Sequence, residues 1–167
     1  MLAVIDVITI IITLLIAYNI YKTYDESFKV NESWMQRSIK YDQLTDLAIA
    51  ANGPGNDIFE SRDIEHESSK LKSITDEIDS LKAFLLNDAK SNLRKYPEVK
   101  DRLEEFSNNV SRATELSYMI FGKIEDNKVD EASSYMSQMD SKFHAALLDI
   151  SKLRNKVREI QKEHRLL

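Results

Sequence analysis

Cysteine is absent from this sequence. That excludes a disulfide framework and a thiolate metal centre. Glycine and proline are scarce, at 3 and 2 in 167 residues. An all-β sandwich or barrel needs many more turn residues, so those folds are excluded. The same scarcity removes most Gly-rich phosphate-binding loops. There is no basic excess, with Lys+Arg at 23, Asp+Glu at 28 and a net charge of -5. Nucleic acid is therefore not an expected partner. A Walker loop, a His-Glu-x-x-His pair and a nucleophile elbow are all missing, so no catalytic residue is assigned and the chain reads as a non-enzyme. The histidines are His66, His144 and His164. His66 has no second ligand at helical i, i+4 spacing, and no Glu-x-x-His repeat supports a di-iron bundle, so no metal or cofactor is expected. His66, between Glu65 and Glu67, reads as part of a solvated charged face.

What is present is a mixture of 31% charged and 43% hydrophobic residues, the composition of long amphipathic helices. The chain opens with LAVIDVITIIITLLIAYNIY over residues 2–21, where Asp6 carries the one charge. As a helix such a run spans about 30 Å, the thickness of a hydrocarbon core. Tyr18, Tyr21 and Tyr24 cluster at its far end, where an aromatic belt sits. Residues 1–21 are therefore expected to anchor the chain, with membrane lipid as a partner. Lys22, Lys29 and Arg37 follow the segment and no basic residue precedes it. The positive-inside rule then places the remainder in the cytoplasm, unless a basic leader is missing.

Residues 22–167 read as four long helices. Near the end of the chain, Val129, Met136, Phe143, Ile150, Val157 and His164 recur seven apart. Ala132, Met139, Ala146, Leu153, Ile160 and Leu167 form a second such series. Their 3-4 spacing is a coiled-coil-like seam. Val99, Phe106, Ala113 and Ile120, with Leu103, Val110, Ser117 and Ile124, repeat the rhythm in the preceding helix. Leu71, Ile74, Ile78, Leu81 and Leu85 do so before that, and Trp34, Tyr41, Leu44, Ala48 and Ala51 before that again. The expected spans are 22–52, 58–94, 97–124 and 128–167. Gly53-Pro54-Gly55 is expected to end the first of them, with Gly53 at positive φ. Asp57 and Glu60 then restart a helical turn as a capping box. Asn127 or Asp126 is the expected N-cap of the last helix. The fold class is all-α, an up-down-up-down four-helix bundle whose first helix continues from the membrane segment. Helix four lacks a stop signal at Arg165-Leu166-Leu167, so a second spanning segment is expected to follow. Its basic residues Lys152, Arg154, Lys156, Arg158, Lys162 and Arg165 read as a solvated face that meets lipid headgroups near a membrane.

The stretch from Ala51 to Asp63 holds two of the glycines and one proline. Capping and turn chemistry alone account for its residue types. A functional reading makes Asn52, Asn56, Asp57 and Arg62 a polar ligand-binding site at the end of the bundle.

Pro54-Gly55-Asn56-Asp57-Ile58-Phe59, followed by Met139-Asp140 and Leu153-Arg154, resembles the extracytoplasmic sensor region of bacterial transmembrane histidine kinases and methyl-accepting chemotaxis receptors. The likeness covers the whole chain in layout and these short motifs residue by residue. It implies a sensor bundle outside the cytoplasm at the bacterial inner membrane, against the direction given by the charges. It also implies a homodimer, and a small-molecule or protein ligand. The expected function is then signal sensing, with the last helix passing the signal to a downstream transmitter. The alternative is a single-pass structural or tethering protein whose bundle binds a partner helix.

Overall fold

The computed structural model describes the backbone of residues 2–165 and the side chains of residues 5–163. The seam positions His164 and Leu167, and the Arg165-Leu166-Leu167 end, lie outside the described side chains. Four α-helices follow one another: α1 (Leu2–Ser61), α2 (Ile64–Asn92), α3 (Pro97–Glu125) and α4 (Val129–Arg165). No strand occurs among the described residues. The chain is an all-α four-helix protein. Its contacts divide it into two units, Met1–Arg37 and Ser38–Leu167.

The first unit is the apolar start of α1. None of its most apolar stretch is buried against protein. Ile10, Ile11, Ile12 and Ile20 are 58%, 51%, 51% and 65% exposed, on all sides of the helix. A helix this apolar all round, with nothing packed on it, has the length and composition to cross a membrane. Its two threonines satisfy their own hydroxyls. Thr9 donates to the Ile5 carbonyl at 2.9 Å and Thr13 to the Thr9 carbonyl at 2.8 Å. The hydroxyls of Thr9 and Thr13 are thus not left over for a hydrocarbon core to reject. Beyond the apolar stretch, Lys29 pairs with Asp25 at 2.6 Å one turn back, and the Arg37 guanidinium lies 4.7 Å over the Trp34 ring.

The second unit is the bundle. The seams read from the sequence are its core. Leu71, Ile78 and Leu85 of α2 are buried, as are all eight expected seam residues of α3. Ala132, Met139, Phe143, Ala146, Ile150, Leu153, Val157 and Ile160 of α4 are buried too. Ile74 and Leu81 are half-buried at the flanks of α2, and Met136 at the start of α4. Cross-helix bonds flank the core. Lys156 Nζ reaches Glu98 at 2.7 Å, Asn109 donates to Asp149 at 2.8 Å, and Tyr96 donates to Glu163 at 3.0 Å.

The first turn departs from expectation. α1 does not stop at residue 52; it runs through Gly53-Pro54-Gly55 to Ser61. No glycine has positive φ, Gly53 included. The reason lies in the seam. Tyr41, Leu44, Ala48, Ala51, Gly55 and Ile58 keep the 3-4 spacing, and Pro54 is itself buried. Continuous burial outweighs the local cost of a helical proline, about 3 kcal/mol. The reversal is left to Arg62 and Asp63. Arg62 takes the left-handed conformation with φ 55, and its N–H closes on the Ile58 carbonyl at 3.1 Å, an αL cap. Asp63 is the N-cap of α2, accepting the His66 N–H at 2.9 Å, in place of the expected Asp57–Glu60 box. α2 thus begins at Ile64, six residues after the expected 58.

The third turn holds a second correction. Asn127 is no N-cap. It has φ 59, its N–H bonds the Ile124 carbonyl at 3.0 Å, and the Lys128 N–H bonds the Lys123 carbonyl at 2.8 Å. Those two bonds form a Schellman motif that ends α3, with Asn127 where glycine is commonest. The Pro97 start of α3 is as expected, with Tyr96 extended before it at φ -124.

Candidate functional site

Because α1 stays helical through residue 61, the four residues expected to form one site lie at different angles around it. Asn52 and Asn56 are one turn apart and both line a groove between α1 and α4. Asp57 faces α2, where Lys70 Nζ reaches its carboxylate at 2.9 Å. That hydrogen bond raises the Lys70 ammonium above its ordinary value. Arg62 is exposed in the turn. Asn52 and Asn56 are thus brought together, while Asp57 and Arg62 lie apart from them.

The groove holds about 450 Å³. Its floor is Ala48 and Phe143, both buried, and its apolar walls are Ile49 and Leu147. Asn52, Asn56, Asp140 and His144 supply its polar groups. The Asn56 carboxamide bridges the two helices. Its Nδ2 donates to the Asn52 carbonyl at 3.1 Å and to Asp140 Oδ1 at 3.4 Å. Asn52 Oδ1 is buried with no hydrogen-bond partner. A sealed polar atom without a partner is costly, at about 1–3 kcal/mol, so its presence needs a reason.

Next to the groove the two helices come very close. A β-carbon on Gly55 would overlap the Met139 thioether, with Met139 Cε at 2.9 Å and Ser117 Oγ of α3 at 3.1 Å. Ser117 is fully buried and its hydroxyl bonds the Ala113 carbonyl at 3.1 Å and Met139 Sδ at 3.0 Å. Three helices therefore meet on Met139 through two small residues. Met139 fills this junction as core, and the neighbouring Asp140 is turned to the groove.

Asp140 and His144 were not among the expected site residues. Asp140 follows a seam methionine and His144 follows a seam phenylalanine, and nothing local separates them from a solvated face. Their i, i+4 relation on α4, facing Asn52 and Asn56 at i, i+4 on α1, is the signal that a correct register for α1 exposes.

Two other grooves flank α2. One, of about 590 Å³ between α1 and α2, is lined by Lys40, Asp46, Glu77 and Phe84 among others. The other, of about 430 Å³ between α2 and α3, includes Asp79, Lys82, Thr114 and Tyr118. Their charges are of mixed sign, and Lys82 pairs with Asp79 at 2.6 Å. No group of three or more His, Asp or Glu able to hold a metal ion occurs among the described residues.

Comparison of the chain with protein-family models, with curated proteins and with solved structures returns no match.

Proposed function

We propose that this chain is the signal-sensing module of a bacterial membrane receptor, of the histidine-kinase or chemotaxis-receptor kind. The observation that carries the reading is the polar groove between α1 and α4, with its bridging Asn56–Asp140 contact and its unpaired Asn52 oxygen. A ligand entering there competes for the Asn56–Asp140 hydrogen bond, one of the polar ties between α1 and α4. The same two helices are tied again further along by Arg154 and Asp42 at 2.5 Å. Packed helices shift between discrete arrangements of an ångström or two. Exchange of the groove contact would bias such a shift in α4, the longest helix of the bundle after α1. The apolar segment of α1 provides the membrane attachment that a receptor requires. Under this reading the bundle is extracytoplasmic, the receptor works as a homodimer, and any catalysis belongs to a transmitter encoded further along.

The alternative is a single-pass tether whose bundle binds a partner helix. Lys22, Lys29 and Arg37, just after the apolar segment, favour it through the cytoplasmic orientation they imply. The coding sequence after residue 167 decides between the two. A second apolar segment followed by a kinase or methyl-accepting region is the expected result. A stop codon there would overturn the receptor reading and leave the tether.

A further inference from the structure

We infer that the groove between α1 and α4 takes a small ligand that carries a protonated amine on an apolar body. The inference rests on the reading of this groove as the sensing site and adds the chemical class of what it senses.

Charge decides the polar end of the ligand. Among the described residues that line the groove, Asp140 is the one acid and there is no lysine or arginine. Asp140 is half-buried and makes no ion pair among the described residues; its one described hydrogen bond is the long contact from Asn56 at 3.4 Å. Several carboxylates that face a neighbouring helix have short partners, while Glu67, buried beside Lys70 at 3.9 Å, leaves its Oε2 without a hydrogen bond. Asp57 has Lys70 at 2.9 Å, Glu98 has Lys156 at 2.7 Å, Asp149 has Asn109 at 2.8 Å and Glu131 has Lys123 at 2.6 Å. Asp140 is the groove's one carboxylate, and no cation pairs with it among the described residues. A half-buried charge lacking a counter-ion is favoured when an opposite charge is brought to it.

The second polar group points the same way. Asn52 Oδ1 is an acceptor that receives no donor. Asn52 lines the groove together with Asp140, and a rotation of its carboxamide would be needed to offer that oxygen to a ligand. An ammonium has three donors and no acceptor, which matches one carboxylate and one amide oxygen. A carboxylate or phosphate would face Asp140 with no cation to offset the repulsion. Ile49, Phe143 and Leu147 offer apolar surface for the rest of the molecule, and about 450 Å³ holds a body of several carbons.

The experiment uses the full chain in lipid nanodiscs and three probes of one shape: phenethylamine, 3-phenylpropionate and 3-phenylpropanol. Binding is read by titration calorimetry and by the shift in unfolding midpoint. Phenethylamine is expected to bind the wild type, and about tenfold more weakly to Asp140→Asn, a change of about 1.4 kcal/mol. Asp149→Asn removes the same charge from the same helix on the α3 side, and should bind phenethylamine as the wild type does. Equal weakening by both variants would reduce the effect to general electrostatics and overturn the inference. Tighter binding of 3-phenylpropionate would overturn the amine class while leaving the groove as a ligand site. Binding of none of the three would overturn the inference as stated. A stop codon after residue 167 would instead overturn the receptor reading, whatever the probes do.

Discussion

Gly55 of α1 and Met139 of α4 touch so closely that a β-carbon at residue 55 would force the Met139 side chain to move. Gly53, two residues earlier, has ordinary room; its β-carbon would lie 3.5 Å from Asp57 Oδ2 and 3.9 Å from Lys70 Nζ. Two glycines in the same turn of helix should therefore respond oppositely. Gly53→Ala is expected to stabilise the bundle by about 0.5–1 kcal/mol, the helix-propensity gain. Gly55→Ala is expected to destabilise it by about 1–3 kcal/mol, because the buried Met139 side chain must repack to admit the β-carbon. Shortening the methionine should reverse the second sign, so that Gly55→Ala is stabilising in a Met139→Ala background. Chemical denaturation of the four variants measures the cycle; equal effects of Gly55→Ala in both backgrounds would refute the contact.

The first turn predicts a stabilised variant. Arg62 sits at φ 55, a region that disfavours residues with a β-carbon. Arg62→Gly should raise stability by about 0.5–1 kcal/mol, and Arg62→Val should lower it. The thermal midpoints of the two variants check this, and a fall for both would mean that the Arg62 side chain holds the turn.

Asp63→Ala removes the side chain that accepts the His66 N–H at 2.9 Å. A loss of about 1 kcal/mol is expected. Asp63→Ser should recover most of it, and failure of serine to do so would place the effect in something other than the cap.

The pH profile follows from the cross-helix pairs. Hydrogen bonds from Lys156 and Lys123 hold the Glu98 and Glu131 carboxyls below their ordinary value of 4.5. Their folded values being depressed, both pairs contribute in full above about 4.5, and the contribution is lost as pH falls through the lowered values. Lys156, Lys123 and Lys70 are raised above 10.5 by Glu98, Glu131 and Asp57. Their contribution is complete below 10.5 and disappears as pH rises through the raised values. A plateau in thermal midpoint between those limits is expected, falling on both sides. The double variant Glu98→Gln with Glu131→Gln should show a shallower acid fall, and added salt should reduce the difference. An acid limb unchanged in the double variant would assign it to other groups.

Membrane attachment is tested by extraction. The intact chain should stay in the pellet after alkaline carbonate treatment, and a chain beginning at Lys22 should be released. Release of the intact chain would show that the exposed apolar surface of residues 5–20 is not in lipid.

The 3-4 spacing of apolar residues, read from sequence, marks the buried face of every bundle helix, down to Ser117 as a polar member of a seam. Seams are legible because burial repeats over many turns and no single residue decides them. The first turn was not legible in the same way. Gly53-Pro54-Gly55 carries strong local signals for a break, yet Tyr41, Ala48 and Gly55, with Leu44, Ala51 and Ile58, keep the seven-residue period across it. The long-range pattern outweighed the local one. Taking the break as real placed Asn56 and Asp57 in a loop, where their directions are undetermined, and put Asn52 and Arg62 on separate helices either side of it. On a helix those directions are set, and they separate Asp57 from the two asparagines. Within α4 Asp140 is marked only by the Met139-Asp140 motif and His144 by nothing, and their place in the groove becomes visible when α4 is laid beside α1.

The connections between helices are very short: Arg62 and Asp63, residues 93–96, and residues 126–128. A protein of this kind has no loop that can be lengthened or exchanged to meet a new ligand. Adaptation must proceed by replacing residues on helix faces, each held in register by the seam beside it. On α1 and α4 that freedom narrows to the few positions that border the groove, such as 49, 52, 56, 140, 144 and 147. A library varied at those positions alone, with the seams left intact, would cover most of the recognition this scaffold can acquire.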